Sequence, residues 1–475
     1  MKKYLALLLA GVMLLSYGCA SGSGEPAASS GSAPTGESSS AEPEQDAQGA
    51  PQAETDPYDF SSAKVDWKKF DGDQIRAMLC KHWFSDAIVA KLEEFQALTG
   101  ITVNYEQIPE SDYANKLLIE FNSGANPPDV FMENYAWLPA HFSGGWNQDL
   151  NSYIENTELT DPDFFKFDDF MPSAINYCEY KDTLPGLPVT GEWQILYYRK
   201  DLLEQKGIAV PQTFQELYDA AVKLNDPQSS VSGFVSRLKR GVGTAHVFGG
   251  YLYSMGGEWI TVQDDGSATV NVNTPEGVKA AEYYTSMFKD AGPMGAVNYG
   301  WSEAVAEMQS GKAAMMIDAN GFRGQVEDPE TSAVAGKIGY APFPGDGSHP
   351  AKVHLNHWML GLSSLGKNKE AGWYFLQWAT SLPVAEAIAL DNGNGARSSI
   401  WENADFIARY GQDYIEACQK SAECSERYIV PQIVEQQEVM DIIESGLHEI
   451  YGGANAQAVM DEVQAKTQAV LQQMN

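Results

Sequence analysis

Basic residues are scarce in this sequence. Its 475 residues include 31 Lys and Arg against 64 Asp and Glu, which gives a formal net charge of −33 at pH 7. No basic block interrupts the excess of acid. Such a chain lacks the charges that neutralise nucleic-acid phosphates or hold a protein on an anionic membrane. Nucleic acids are therefore excluded as partners.

Cysteine and long hydrophobic runs are also scarce. After residue 20 no apolar run is long enough to span a bilayer. Beyond Cys19 the cysteines are Cys80, Cys178, Cys418 and Cys424, without the CxxC spacing of a zinc site. Their spacing leaves their pairing open. We predict no metal site and no cofactor.

The N-terminus carries the one membrane signal. Lys2 and Lys3 precede an apolar stretch over residues 4–15, and a short polar junction leads to Cys19. This anatomy predicts a signal peptide over 1–18. Because Gly18 precedes Cys19, the junction resembles a bacterial lipobox, which implies acylation of Cys19 and anchoring to the outer face of the cell membrane. A simply secreted chain is the alternative.

Residues 19–57 have the composition of a tether. They are almost wholly Ser, Gly, Ala, Pro, Glu and Gln, with no aromatic residue before Tyr58. A segment with nothing to bury stays disordered. A flexible coil of this length reaches roughly 35 Å, so we predict a lipid-anchored, disordered tether before the folded body.

The body alternates strand-like and helical segments, which predicts an α/β fold. Residues 74–83 indicate a buried strand, and a helix should begin at the N-cap Ser85 and end at Gly100. The segments that follow, 101–105, a helix from 111, and 129–132, complete two βαβ units.

The pattern restarts after about residue 190, which predicts a second lobe. Helices are expected from Thr213, Pro275 and Trp301, and an apolar strand over 313–317 should end at Asp318. We assign 58–190 and about 340–392 to an N-terminal lobe, and 191–339 and about 393–475 to a C-terminal lobe.

A series of motifs carries a family resemblance. In chain order they are FQALTGITV (95–103), PDV (128–130), LYYRKDLL (196–203), PQTF (211–214) and GKAAMM (311–316). Together they resemble the extracellular solute-binding proteins, family 1 and carbohydrate type, of ATP-binding-cassette importers. The resemblance implies a two-lobe periplasmic-binding-protein-like fold with a hinge and an inter-lobe ligand cleft. The first crossing between lobes should fall near Thr190 to Trp193.

Three further segments, 292–301, 328–340 and 373–380, are similar to the branch that binds sugar alcohols and related sugars. The resemblance implies a non-enzymatic lipoprotein that captures a carbohydrate or polyol outside the cell. It would deliver that ligand to the permease subunits of an importer, act as a monomer, and touch the membrane only through its anchor.

Carbohydrates present C–H faces and hydroxyl groups, so their sites combine aromatic rings with carboxylates, amides or Arg. The resemblance places Glu192 and Trp193 at the lobe crossing and Trp301, Asp318 and Trp358 in the cleft. Weaker candidates complete the set: Trp83, Glu133, Trp259 and the loop residue Arg397.

Each candidate has a structural alternative. The tryptophans could pack in a core, Glu192 could be a surface acid, Asp318 a helix cap, and Arg397 a salt-bridge partner. If the site is as predicted, Asp318→Ala or Trp301→Ala weakens binding and leaves the fold intact.

A secreted glycoside hydrolase is the competing class of function, because it too would be acidic and rich in Trp and would use two carboxylates. No GxSxG or HExxH motif occurs. Residues 361–367 spell most of a phosphate loop, but Asn368 replaces the Ser or Thr that binds magnesium.

Overall fold

The computed structural model describes residues 59–241, 243–262, 268–426 and 433–472. The predicted signal peptide, Cys19 and tether lie outside the described residues, so they remain predictions. None of the described helices is long and apolar enough to span a bilayer.

Twelve strands and twenty α-helices are found in the described part of the chain. The strands are β1 (Gln74–Cys80), β2 (Thr102–Ile108), β3 (Val130–Asn134), β4 (Leu187–Pro188), β5 (Glu192–Arg199), β6 (Ile260–Val262), β7 (Ala268–Val270), β8 (Met315–Ala319), β9 (Ile338–Pro342), β10 (Val353–Asn356), β11 (Trp358–Leu362) and β12 (Ser425–Glu426). The helices are α1 (Trp83–Ala90), α2 (Leu92–Thr99), α3 (Glu110–Ser123), α4 (Leu138–Ser143), α5 (Asn151–Ile154), α6 (Pro162–Phe165), α7 (Pro172–Cys178), α8 (Lys200–Lys206), α9 (Phe214–Leu224), α10 (Thr244–Ser254), α11 (Pro275–Ala291), α12 (Trp301–Gln309), α13 (Arg323–Val326), α14 (Lys369–Thr380), α15 (Leu382–Asn392), α16 (Ser398–Glu402), α17 (Ala404–Tyr410), α18 (Gln412–Glu423), α19 (Gln436–Tyr451) and α20 (Ala456–Gln472).

The first sheet has the order β2-β1-β3-β11-β4. Strands β1, β2 and β3 run parallel, as the two βαβ units require, and β11 returns antiparallel to β3. All five residues of β3 and of β11 are buried, as is typical of strands in the middle of a covered sheet.

The second sheet is built around β5. Its order is β12-β10-β5-β8, and β9 also pairs with β5. Residues 195–197 of β5 are fully buried, as expected for a central strand between two neighbours. Strands β6 and β7 form a separate hairpin.

Three chain segments connect the sheets: two short crossings, and the long segment between β11 and β12 that contains α14 to α18. The chain leaves the first sheet after Pro188 and enters the second at Glu192, where the first crossing was expected. It returns at His357, between β10 and β11. The crossings bond to each other, since Trp358 N donates to Thr190 Oγ1 at 3.0 Å and Val189 N donates to the Trp358 carbonyl at 2.9 Å.

The point at which the chain returns to the first sheet differs from the predicted lobe boundary near residue 340. Strands β9 and β10 belong to the second sheet, because Tyr340 pairs with Tyr197 and Leu355 with Trp193. Tertiary pairing of this kind leaves no local mark in the sequence. The assignment of whole lobes remains a prediction.

The first helix also differs from expectation. Strand β1 ends at Cys80, and Trp83 already belongs to α1, whose N-cap is His82. Ser85 lies inside the capping box, where its Oγ accepts from His82 N at 3.1 Å. Gly100 does end α2, with a left-handed φ of 76° that favours glycine.

All four cysteines of the described residues are free thiols. Cys80, Cys178 and Cys418 are buried, and burial raises the pKa of Cys418 to about 12. These three behave as small apolar core residues.

Candidate functional site

A cavity of about 350 Å³ lies between elements of the two sheets. Polar and aromatic residues and one methionine, from eight helices and strands and from the loops beside them, face it: Glu110, Asn115, Asn134, Trp137, Glu192, Trp193, Gln194, Arg237, His246, Asp318, His354, Trp358, Gln437, Met440 and Asp441. Four of the predicted ligand residues are among them, namely Glu192, Trp193, Asp318 and Trp358.

Asp318 and Arg237 form a buried ion pair on the cavity wall. Asp318 is 1% exposed on β8, and its Oδ2 lies 2.9 Å from Arg237 Nε and its Oδ1 2.6 Å from Nη2. Burial alone lowers the pKa of Arg237, but Asp318, Glu110 and Glu192 together raise it overall. Asp318 is thus an ion-pair partner in the cavity and not a helix cap.

Glu192 stands at the start of β5 and is 5% exposed. Its Oε1 accepts from Trp83 Nε1 at 3.2 Å and lies 3.3 Å from His82 Nε2. Trp83 therefore orients a cavity carboxylate and is not itself a lining residue. Gly321 lies against this pair, where a Cβ atom would be 3.0 Å from both Glu192 Oε1 and Trp83 Nε1.

Several lining residues keep a buried polar atom without a hydrogen-bond partner among the described residues. They are Trp193 Nε1, Gln194 Oε1 and His354 Nδ1. Buried polar groups are normally paired, and an unpaired one costs on the order of 1–3 kcal/mol.

The aromatic wall is formed by Trp358 and Trp137. Their rings are 5.5 Å apart at 70°, and Trp358 also packs on His82. Edge-to-face packing holds both indoles rigidly and leaves apolar ring surface toward the cavity.

Two histidines stack beside Arg237. His246 and His354 lie parallel, with ring centroids 4.6 Å apart. Burial, with Arg237 adding to it, lowers the pKa of His246 to about 3. The pKa of His354 lies well below its usual value, chiefly through burial. Both rings are therefore neutral at pH 7.

Trp301 reaches the cavity only through Glu110. The indole stacks on Phe322 at 5.2 Å, and its Nε1 donates to Glu110 Oε2 at 3.1 Å. Glu110 is a lining residue, so Trp301 touches the rim.

Three predicted residues are not brought to the cavity. Glu133 is fully buried and accepts from His141 Nδ1 and Asn147 Nδ2, both at 2.8 Å. Trp259 is a core residue with no exposed surface. The side chains of both serve packing of the fold.

Arg397 is the third such residue and is 0% exposed. It donates to the carbonyls of Thr380, Lys166 and Phe165 at 2.8–3.1 Å and to Asp169 Oδ2 at 3.4 Å. Burial lowers its pKa to about 10. The salt-bridge alternative describes it, together with three backbone carbonyls at the C-terminal ends of α6 and α14.

The cavity also contains residues that sequence reasoning missed. Arg237 follows the apolar segment 234–235, which pairs with β8. Its position directly after a strand-like segment is the sequence signal that could have identified it. Gln437, Met440 and Asp441 come from α19, about 200 positions beyond Arg237, and nothing local marks them.

Two sheets joined by crossing segments, with a polar and aromatic cavity between them, define a two-lobe ligand-binding protein. The chain belongs to the family of bacterial extracellular solute-binding proteins, whose model matches residues 83–386. The predicted family and fold class are confirmed. Membership of this family implies an extracytoplasmic location and the binding of a solute.

Two relatives and one solved structure illustrate the similarity. The erythritol/L-threitol-binding protein of Mycolicibacterium smegmatis is 26% identical over 408 residues, which cover 82% of this chain and 84% of the relative. The mannitol-binding protein of Pseudomonas aeruginosa is 32% identical over 255 residues, 52% of this chain and 58% of the relative. An ABC transporter solute-binding protein from Agrobacterium radiobacter, in complex with ribitol, has a TM-score of 0.77 at 27% identity and covers 84% and 99% of the two chains.

Proposed function

We propose that this protein captures a small polyol or a monosaccharide outside the cell and delivers it to an ATP-binding-cassette permease. The observation that carries the proposal is the cavity that combines Glu192 and the Asp318–Arg237 pair with Trp137, Trp193 and Trp358. Carboxylates accept from hydroxyl groups, and indole faces pack on C–H groups.

Cavity size supports a small ligand. A volume of about 350 Å³ lies at the low end of the roughly 300–1,000 Å³ range of small-molecule sites. The ligands in the names of the two relatives are erythritol, L-threitol and mannitol, and the solved structure contains ribitol. All four are acyclic polyols. A polyol of four to six carbons fits this pattern better than an oligosaccharide.

We further propose that the lining residues Glu192, Trp193, Asp318 and Trp358 contact the ligand. Trp301 acts through Glu110, and Trp83 acts through Glu192.

We also propose that the protein is not an enzyme. A glycoside hydrolase needs one free acid and one free base or nucleophile. Here Asp318 is held by Arg237, and Glu192 accepts from Trp83. This arrangement favours recognition of hydroxyl groups.

Anchoring through acylated Cys19 is part of the proposal. A tether over 19–57 would hold a monomeric body near its permease without fixing its orientation. Cys19→Ala should release the protein into the medium, while Cys424→Ala, which changes a cysteine of the folded body, should leave it on the membrane. Retention of the Cys19 variant would contradict the anchor.

Thermal unfolding of the full chain carrying Cys19→Ala tests the ligand class. Erythritol, ribitol, mannitol, hexoses and maltose are compared, followed by chromatography of the same mixtures. A ligand at 100 times its Kd should add about 2.7 kcal/mol of stability. A rise in Tm with one intact polyol supports the proposal, whereas consumption of the sugar would make the protein an enzyme.

A further inference from the structure

Acidic groups dominate the cavity. Its lining residues include four carboxylates, Glu110, Glu192, Asp318 and Asp441, and one guanidinium, Arg237. Three negative charges are therefore not balanced by a lining cation. Even a protonated His82, 3.3 Å from Glu192, leaves an excess of acid. Charges in such a partly desolvated site act strongly on a charged ligand.

Arg237 does not offer an anion site. Its Nε lies 2.9 Å from Asp318 Oδ2 and its Nη2 2.6 Å from Oδ1, and its guanidinium carbon is 5.8 Å from the Phe322 ring centroid. A buried carboxylate of the protein therefore already compensates the charge of this guanidinium, and an incoming carboxylate or phosphate finds no uncompensated cation there. Breaking such a pair is strongly unfavourable.

The helix α10 begins at the cavity wall, where its N-terminal amides could otherwise attract an anion. A carboxylate of the protein already occupies that position. Glu444, 1% exposed on α19, accepts from Gly241 N at 2.6 Å and from Ala245 N at 2.9 Å. The positive end of the α10 dipole is therefore already paired with a carboxylate of the protein.

The remaining polar groups do not supply positive charge. Burial lowers the pKa of His246 and of His354, which leaves both rings without charge at pH 7. Gln194 Oε1 is a buried acceptor without a partner among the described residues. The carboxylates and this acceptor suit a ligand that donates hydrogen bonds.

We infer that the cavity selects its solutes by charge: it rejects anionic derivatives of polyols, such as aldonates, and accepts uncharged polyols and those that carry an ammonium group. This inference rests on the proposed function and adds the charge class of the ligand. The net charge of −33 on the whole chain acts in the same direction, because it repels anions during encounter.

Calorimetric titration of the full chain carrying Cys19→Ala tests the inference with two matched series at pH 7. One series is D-mannitol, 1-amino-1-deoxy-D-mannitol and D-mannonate, and the other is the corresponding set built on ribitol. We expect the aldonate to bind at least about tenfold more weakly than its polyol, and the ammonium compound to lose no more than about tenfold. An aldonate within tenfold of its polyol, or a larger loss for the ammonium compound, overturns the inference alone. If neither neutral polyol binds, the proposed function falls, and the inference falls with it.

A charge variant separates electrostatic selection from shape. Asp441→Asn removes one rim carboxylate without changing its size, so the preference for polyol over aldonate should shrink by about threefold or more. Glu449→Gln makes the same change of net charge on the exposed side of α19, outside the cavity, and should leave the preference unchanged. Equal preferences in both variants would assign the discrimination to shape and overturn the inference.

Discussion

Trp301 Nε1 donates to Glu110 Oε2 at 3.1 Å. The two residues lie 191 positions apart, on α12 and α3, at the first residue of each helix. Helix α12 packs on β8 of the second sheet, and α3 packs on β1 of the first. This hydrogen bond therefore joins a helix packed on the first sheet to a helix packed on the second at the rim of the cavity.

Trp301→Phe should weaken ligand binding by about threefold to tenfold, mainly through faster dissociation. Phenylalanine keeps the stacking on Phe322 but cannot donate to Glu110. Affinity and dissociation rate can be followed by calorimetry and stopped-flow fluorescence. Trp146→Phe, which alters a tryptophan stacked on Phe121 away from the cavity, is the matched control. Identical dissociation rates in the two variants would remove this role of Trp301.

Asp318→Ala should cost about 3–5 kcal/mol of stability, because it removes the hydrogen-bonded partner of a largely buried guanidinium. The sequence alone predicted loss of binding with an intact fold, and the ion pair changes that expectation. Asp318→Asn keeps an acceptor for Arg237 and should destabilise less while still losing affinity. Urea unfolding and titration of both variants check the two effects separately. A stable Asp318→Ala protein would show that the pair contributes little to folding.

Arg397→Lys should destabilise the protein by about 2–4 kcal/mol and leave ligand affinity unchanged. A lysine cannot reproduce the planar contacts to three carbonyls and Asp169. Arg409→Lys is the control, because Arg409 makes an exposed pair with Asp391 and should change stability by less than about 0.5 kcal/mol. Weaker ligand binding by folded Arg397→Lys would return this residue to the candidate ligand set.

Local sequence signals correctly predicted those elements whose ends are set by interactions between neighbouring residues. The helix from Trp301 to Gln309 and the end of α2 at Gly100 follow from apolar spacing and from a left-handed glycine. The N-cap His82 was missed, because Ser85, a common capping residue, stands three positions later.

The cavity was only partly predictable because its residues meet through long-range packing. Glu192 and Asp318 were found from a resemblance and from the end of an apolar strand. Arg237 and Asp441 were not found, since the groups that face them lie about 80 to 200 positions away. Arg397 looked like a ligand residue in its glycine-rich loop, and only the fold brings three carbonyls to it.

Buried histidines should make the protein less stable in mild acid. His357 has no exposed surface, and burial lowers its pKa to about 4. Because the unfolded chain takes up a proton near pH 6.5 and the folded chain does not, the stability that is present above pH 6.5 is lost as the pH falls toward 4. Between pH 7.5 and 5.5 the loss from this residue alone is about 1.4 kcal/mol.

The measurement is the free energy of unfolding in urea at pH 7.5 and 5.5, compared between the parent chain and His357→Gln. Glutamine does not titrate, and the change in the hydrogen bond between the imidazole Nδ1 and the carbonyl of Thr190 acts equally at both pH values. The difference between the two pH values should therefore shrink by about 1.4 kcal/mol in the variant. His349→Gln changes an exposed imidazole and should leave the difference nearly as it is in the parent. If His357→Gln retains the full acid sensitivity, groups other than this buried imidazole cause it, and the stacked pair of His246 and His354 is then the next place to look.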